Sequence, residues 1–331
     1  MGPDLRARAE ALRGRRVLVL GDLIADEYLL GLTHRVSREA PVLILRHRSR
    51  ELSLGGAGNA ANNVRALGGE VVLLGWLGDD DLGREVLDLL EERGIDASGV
   101  LRLPGVETTR KTRILAGGVN TSMQQVIRVD REWEGEIPEG ALDRLAAALR
   151  ERAEEVDAVL VSDYGLGVVG PRMIRTVNAL AAEKSAGDGG LPILVDSRYR
   201  LNAFREVTAV TPNEVEIRGV LGDTLDEAAL FREAEGLRDR MGLGGLLLTR
   251  GRKGMVLFEA GAEPRFLDIF GSDDVADVTG AGDTVIGTFT LALSAGNGMW
   301  ESAQLANVAG GLVVMKRGTA TVSHQELLEV L

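Results

Sequence analysis

The 331-residue chain carries 50 acidic against 38 basic side chains, and its net charge of -12 argues against a general nucleic-acid or membrane-surface binder. It has no cysteine, which removes disulfides, thiolate catalysis and cysteine-ligated zinc together; His34, His47 and His324 are too scattered for a histidine metal centre. With 45% hydrophobic residues it is long enough to bury one large α/β core or two smaller ones.

Met1 to Arg16 alternates charge with Leu and Ala and lacks the apolar stretch of a signal peptide. Met1-Gly2 opens as a myristoylation site does, but Arg6 stands where Ser or Thr is required. The longest apolar run, around 285–295, is too short to span a bilayer, so a cytoplasmic protein is expected.

Val17-Leu18-Val19-Leu20 reads as a central parallel strand. Asp22 and Asp26 follow at its carboxyl edge, where open α/β sheets bind ligands; they suit either a sugar hydroxyl or a turn cap. Residues 41–48 read as a strand leading into a basic cluster that ends at Arg50. Gly55-Gly56-Ala57-Gly58-Asn59 then enters a small-residue helix ending near Gly68-Gly69. Gly56-x-Gly58-x-x-Ala61 formally fits a dinucleotide fingerprint, but the strand before it is polar. A loop that lets backbone approach a small polar ligand, with Asn59 donating and accepting, is preferred.

Glu70 to Gly75 is the next strand, and Asp79-Asp80-Asp81 reads as the acidic start of a helix from Gly83 to Arg93. Residues 108–116 and 122–130 form two strands joined by Gly117-Gly118-Val119-Asn120. They carry Arg110, Lys111, Arg113, Gln124, Gln125 and Arg128, which make either a solvated face or an anion-binding lid.

From residue 140 onward strands and helices alternate, giving a parallel, doubly wound sheet: strands at 157–162, 192–196, 207–210, 245–249 and 254–258, helices at 141–154, 171–184 and 225–240. Gly187 to Gly190 reads as a surface loop. Gly165-x-Gly167-x-x-Gly170 follows a good strand, but Asp163 and Tyr164 intervene and Pro171 places the helix start after the last glycine. No Walker-type G-x-x-x-x-G-K-[ST] occurs. Asn213 and Glu216 lie one helical turn apart after a strand end and suit a magnesium ion through its water shell. Thr249-Arg250-Gly251 ends another strand, and Asn307 sits in a small-residue helix from Ala303 to Gly311.

Asp277-Val278-Thr279-Gly280-Ala281-Gly282-Asp283-Thr284 carries the chemistry. A loop of small residues entering the apolar helix 284–293 offers unpaired N–H groups to phosphate. A carboxylate at the same place repels phosphate, but as a base it can take the proton of an attacking hydroxyl. The alternative is a glycine-rich turn capped by Asp283. As a free carboxylate at a helix start, Asp283 is expected to be ionised at neutral pH with a lowered pKa.

Gly21-Asp22, Gly55-Gly56-x-x-Asn59, Asn213-x-x-Glu216 and the Asp277–Thr284 segment resemble the ribokinase-like (PfkB-type) carbohydrate kinases across essentially the whole chain. Within that family the chain is similar to the D-glycero-β-D-manno-heptose 7-phosphate kinases, through Gly21-Asp22-Leu-Ile-Ala-Asp26-x-Tyr28, Val36-Ser-x-Glu39-Ala-Pro41-Val42, Gln124-Gln125-x-Ile127-Arg128-x-Asp130, Ser162-Asp163-Tyr164 and Gly318-Thr319-x-Thr321-Val322. Such kinases are often fused to a nucleotidyltransferase, and a chain stopping at Leu331 resembles the stand-alone form.

The resemblance implies one kinase domain: a Rossmann-type three-layer α/β/α body with a small β-sheet lid from segments near 27–52 and 106–131, dimeric through the lid. It implies an alcohol-accepting phosphotransferase using ATP, magnesium and often potassium. Carried over, Asp283 is the base and Gly280, Ala281 and Gly282 form the anion hole. Asn213 and Glu216 organise magnesium and phosphates. Thr249, Gly251, Gly254 and Asn307 line the nucleotide site, and Asp277 holds the monovalent ion. Asp22, Asp26, Gly55, Gly56, Asn59, Gln124 and Asp163 meet the sugar; Lys111, Arg113 and Arg128 meet its 7-phosphate. Leu166 stands where the subgroup usually has lysine, and Asp196-Ser197-Arg198 where it tends to show Asp-Pro-Lys. Another kinase of the family acting on a pentose, hexose or nucleoside, an NAD-dependent oxidoreductase and a non-catalytic sugar sensor are the alternatives.

Overall fold

The computed structural model describes residues 3–117, 123–184, 190–271, 277–316 and 318–331. In chain order, α1 (Pro3–Glu10) precedes β1 (Arg16–Gly21), and β2 (Leu23–Val36) and β3 (Leu43–Gly56) follow as a long antiparallel pair. Next come α2 (Ala57–Ala66), β4 (Glu70–Gly78), α3 (Asp81–Glu92) and β5 (Asp96–Leu103). The pair β6 (Arg110–Gly117) and β7 (Gln124–Arg131) then interrupts the α/β order. After it run α4 (Glu139–Arg152), β8 (Ala158–Asp163), α5 (Pro171–Lys184), β9 (Ile193–Ser197) and β10 (Ala209–Val210). The chain continues through α6 (Glu214–Leu221), α7 (Glu227–Met241), β11 (Gly245–Thr249), β12 (Met255–Glu259) and β13 (Arg265–Leu267), and closes with α8 (Ala281–Ser294), α9 (Met299–Val313) and α10 (His324–Val330).

Nine strands form one sheet in the order β13-β12-β11-β10-β9-β8-β1-β4-β5. It is parallel except where β12 pairs antiparallel with β11 and β13. The pleat sends Val17 and Val19 to one face and Leu18 and Leu20 to the other, and all four are fully buried. Val17 and Val19 join the core beneath α2, α8 and α9; Leu18 and Leu20 join the core beneath α4, α5 and α7. Helix α8 is buried at almost every position from Asp283 to Ala292, as its composition demands.

The second sheet, in the order β3-β2-β6-β7, stands apart from the first. It is rooted in the core where β2 begins at Leu23 and β3 ends at Gly56, and it runs out into solvent, where every residue of β7 is exposed. The expected strand at 41–48 is therefore the outer part of a longer one, and Gly55-Gly56 end β3 rather than forming a loop. Strand β2 was not legible: irregularities at Leu30/Gly31 and Thr33/Arg35 shift its alternation, and Asp26 and Glu27 lie on its buried end. Strand β5 was also missed, because Gly99 interrupts its pattern; a side chain there would collide with Leu74. Most of the expected 117–120 turn and of the 187–190 loop lies outside the described residues.

Phe289 is fully buried on α8, under the helix whose first turn carries Asp283. Phe289→Ala is expected to lower the unfolding free energy by about 3–5 kcal/mol through transfer and cavity costs, read as a lower urea midpoint at an unchanged m-value.

Candidate active site

The carboxyl ends of β1, β8, β9 and β11 and the start of α8 meet along one edge of the large sheet. Gly280 caps α8 in the left-handed region (φ 78°), and a Cβ on it would lie 2.6 Å from the Asn59 amide nitrogen. Only glycine allows both the turn and that close approach. Ala281 N–H is taken by the Val278 carbonyl, whereas the N–H groups of Gly282 and Asp283 have no acceptor among the described residues. Of the three residues expected to form an anion hole, Ala281 therefore has its N–H already paired.

Asp283 is 4% exposed. Asn59 Nδ2 donates to its Oδ2 at 2.7 Å, and the Tyr164 hydroxyl donates to its Oδ1 at 3.0 Å. Burial pushes its pKa up to about 6, against the stabilising effect of those two hydrogen bonds. That reverses the expected lowering: the cost of removing the carboxylate from water outweighs the helix start.

Asn59 is fully buried, and its amide is committed to Asp283 rather than free for a sugar. Asn63, one turn further on α2, donates to the Asn59 backbone carbonyl at 2.9 Å and accepts from the Thr284 hydroxyl at 2.8 Å. These contacts tie α2 to α8 through buried polar groups. Spacing alone does not mark Asn63 as a partner of Thr284; the signal is two asparagines four apart in a small-residue helix, which share one face.

Asp22 is an anchor rather than a sugar ligand. Its carboxylate accepts the N–H groups of Tyr164 (2.8 Å), Leu166 (3.1 Å) and Val168 (3.0 Å). Burial raises its pKa to about 6 despite these bonds. With those N–H groups consumed, the Gly165–Gly170 turn has none of them left for a pyrophosphate, and α5 begins only at Pro171. Asp163 is likewise structural, accepting from the Ser197 hydroxyl at 2.7 Å and Gly165 N–H at 2.9 Å.

Asp26 is buried at the root of the lid and ion-paired with Arg113 at 2.6 Å. A Cβ on Gly55 would come within 2.8 Å of its carboxylate, so Gly55 makes room for it, while Gly56 (φ 57°) turns the chain into α2. Arg113 is therefore spent on Asp26, and Arg128, on the exposed β7, pairs with Asp130 at 2.9 Å. Neither is the free cation that was expected. Gln124 is exposed on β7, and by the pleat its neighbour Gln125 turns to the cavity of about 710 Å³ under the lid. Lys111 differs from both arginines: it is buried, lies 5.5 Å from the Tyr164 ring centroid, and has no ion pair among the described residues.

A cavity of about 240 Å³ opens in front of Asp283, lined by Asp196, Arg198, Asn213, Glu216, Thr249 and Gly282 among others. Asn213 and Glu216 form a capping box on α6: Asn213 Oδ1 accepts from Val215 and Glu216 N–H, and Glu216 Oε2 accepts from Asn213 N–H at 2.9 Å. Asn213 Nδ2 and Glu216 Oε1 remain available to a ligand. Burial, reinforced by the charges of Glu216 and Asp283, raises the Asp196 pKa well above the usual carboxylate range. Two mutually repelling carboxylates in one cavity suit a divalent cation. Among the described residues there is no group of three or more His, Cys, Asp or Glu that could hold a metal ion.

A second, mostly apolar cavity of about 290 Å³ adjoins the first through Thr249, Val278 and Gly282. Gly251, Gly254 and Asn307 line it; Asn307 Nδ2 donates to the Asp268 carbonyl at 2.8 Å, which leaves its oxygen free. Asp277 accepts from Thr279 N–H at 2.9 Å and Gly318 N–H at 3.0 Å. Against the cost of its partial burial, these bonds hold its pKa below the usual range.

Similarity to known proteins runs along the whole chain. The bifunctional protein HldE of Geobacter metallireducens is 39% identical over 318 residues, covering 96% of this chain and 63% of its own length. The HldE of Nitrosococcus oceani is 41% identical over 320 residues, covering 96% and 64%. The chain thus spans somewhat less than two thirds of these relatives. In architecture it is similar to phosphofructokinase-2 from Escherichia coli in complex with substrates and products (TM-score 0.75, 17% identity, 96% of this chain and 98% of that one). It is also similar to Arabidopsis thaliana ribokinase complexed with ribose and ATP (TM-score 0.69, 20% identity, 96% and 98%). The fold is ribokinase-like, and, since the model of the pfkB family carbohydrate kinases matches residues 15–326, the chain belongs to that family.

Proposed function

We propose that the chain is an ATP-dependent kinase that phosphorylates the anomeric hydroxyl of D-glycero-D-manno-heptose 7-phosphate to give the 1,7-bisphosphate. One observation carries the kinase reading: a buried carboxylate, oriented by Asn59 and Tyr164, sits beside two free helix N–H groups where a polar and an apolar cavity join. The heptose acceptor rests on the subgroup motifs in the sequence. The apolar cavity takes the adenine and ribose, with the Asn307 oxygen facing a base edge. The polar cavity takes the phosphates, and Gly282 and Asp283 N–H meet the transferred group. Asp196, Glu216 and Asn213 would hold magnesium, which supplies charge neutralisation of the phosphates when bound. Asp277, kept ionised, is the charge a monovalent ion would need.

The acceptor lies under the lid, near Asp26 and Lys111, and Asp283 takes its hydroxyl proton as the new bond to phosphorus forms. Val126, Ile127 and Val129 of β7 and Val36, Val42 and Leu43 are exposed on the lid, which supports dimerisation through it.

Asp283→Asn is expected to reduce turnover by about 10²–10⁴-fold with ATP affinity retained; near-wild-type turnover would remove Asp283 from the base role. Because the base works only when ionised, kcat/KM is expected to fall about tenfold per pH unit below about 6 and to level off above it. Tyr164→Phe removes a hydrogen bond to the ionised form, so this acid limb moves to higher pH; an unmoved limb would exclude the tyrosine hydroxyl from tuning the base. Lys111→Ala is expected to raise the KM for the phosphorylated sugar about ten- to a hundredfold, the loss of one charged hydrogen bond, whereas Arg128→Ala leaves it nearly unchanged. Equal effects of the two would move the acceptor phosphate toward β7.

A further inference from the structure

Arg198 follows β9 and projects into the cavity in front of Asp283. The same cavity is lined by the carboxylates Asp163, Asp196, Glu216 and Asp283, and Arg198 is the one cation among its lining residues. Elsewhere in this acidic chain arginines find carboxylates readily, as Arg113 and Arg128 do. Arg198 makes no ion pair or side-chain hydrogen bond among the described residues, although four carboxylates share its cavity. Its guanidinium lies instead 4.8 Å from the centroid of the Tyr164 ring. Its five N–H donors have no hydrogen-bond acceptor among the described residues.

The seat also fixes where those donors are. The hydroxyl of the same Tyr164 donates to Asp283 at 3.0 Å, so one side chain positions both the base and the cation. Lys111, on the lid strand β6, approaches the same ring at 5.5 Å and is likewise unpaired. Two free cations brought to one ring repel each other, and an anion between the lid and the nucleotide cavity relieves that repulsion.

We propose that Arg198 is a catalytic residue of the transfer step, its guanidinium taking the oxygens of the phosphoryl group as that group passes from nucleotide to acceptor. The inference rests on the kinase reading above. In the step, the acceptor hydrogen goes to Asp283 and an O–P bond forms at the acceptor oxygen. The bond from the γ-phosphorus to the β–γ bridging oxygen breaks, and its electron pair leaves on ADP. Arg198 meets charge that is greatest midway, so it contributes to turnover more than to binding of either substrate.

The test compares wild type, Arg198→Ala and Arg198→Lys in two measurements. The first is steady-state transfer from ATP to heptose 7-phosphate. The second is trapping of ADP with magnesium and aluminium fluoride, a mimic of the phosphoryl group in flight that needs no knowledge of the acceptor. Arg198→Ala is expected to lower kcat by about 10²–10³-fold. Both KM values should stay within about threefold, and trapping should weaken about a hundredfold while affinity for ADP alone stays within about threefold. Arg198→Lys, which keeps the charge but not the planar fork, recovers part of the loss. Wild-type kcat and trapping in Arg198→Ala, or a rise confined to the sugar-phosphate KM, would overturn the proposal. Wild-type protein that traps ADP but does not phosphorylate the heptose sinks the acceptor assignment alone, and the trapping comparison still decides the role of Arg198. Wild-type protein that neither binds nor traps ADP sinks the kinase reading and this proposal together.

Discussion

The site depends on keeping one carboxylate charged although it is almost wholly buried. Asp283 is buried in the first turn of a helix that is itself packed on nearly all sides, and burial alone would favour its neutral form. Two donors oppose that cost, the Asn59 amide and the Tyr164 hydroxyl, and each comes from a different part of the chain. The balance leaves its pKa pushed up to about 6, above the ordinary carboxylate range. A carboxylate poised there is ionised at physiological pH, and in the proposed transfer it is basic enough to accept a hydroxyl proton.

Much of the surrounding architecture holds those donors in place. Thr284 and Asn63 pin α2 against α8, so that Asn59 presents its nitrogen rather than its oxygen to Asp283. Asp22 gathers the backbone of residues 164–168 and thereby fixes the start of the loop that carries Tyr164. Asp163 holds the turn after β8 through Gly165 and the end of β9 through Ser197. Carboxylates at strand ends thus serve two purposes in one protein: some face the cavity, and others hold the loops that shape it.

The lid is a different kind of element. Its strands are rooted in the core at Leu23 and Gly56 and run out into solvent, with the Asp26–Arg113 pair at the root. The pair is nearly buried, so removing either partner would leave an uncompensated charge. Lys111, two residues from Arg113 along β6 and opposite Asp26 in register, has no ion pair among the described residues and lies against Tyr164. The division of labour among three neighbouring lid cations could not be seen from their spacing, because each is basic and only their partners differ.

By itself the sequence determined what depends on local pattern. The two-faced burial of 17–20, the alternation after residue 140, the apolar helix 284–293 and the glycines beside Asp283 are all set by residue type and period. It also carried the family, because the segment from Asp277 to Thr284 sets three small residues between two aspartates at a helix start, a pattern legible without the fold. Tertiary structure decided which polar residues act and which merely hold. Asp22 and Asp26 look alike at a strand end, yet one is consumed by backbone N–H groups and the other by an arginine from a distant strand. The pKa of Asp283, the freedom of Arg198 and the register of β2 were settled only there. Burial and partner distance arise from contacts between residues far apart in the chain, and no local pattern encodes them.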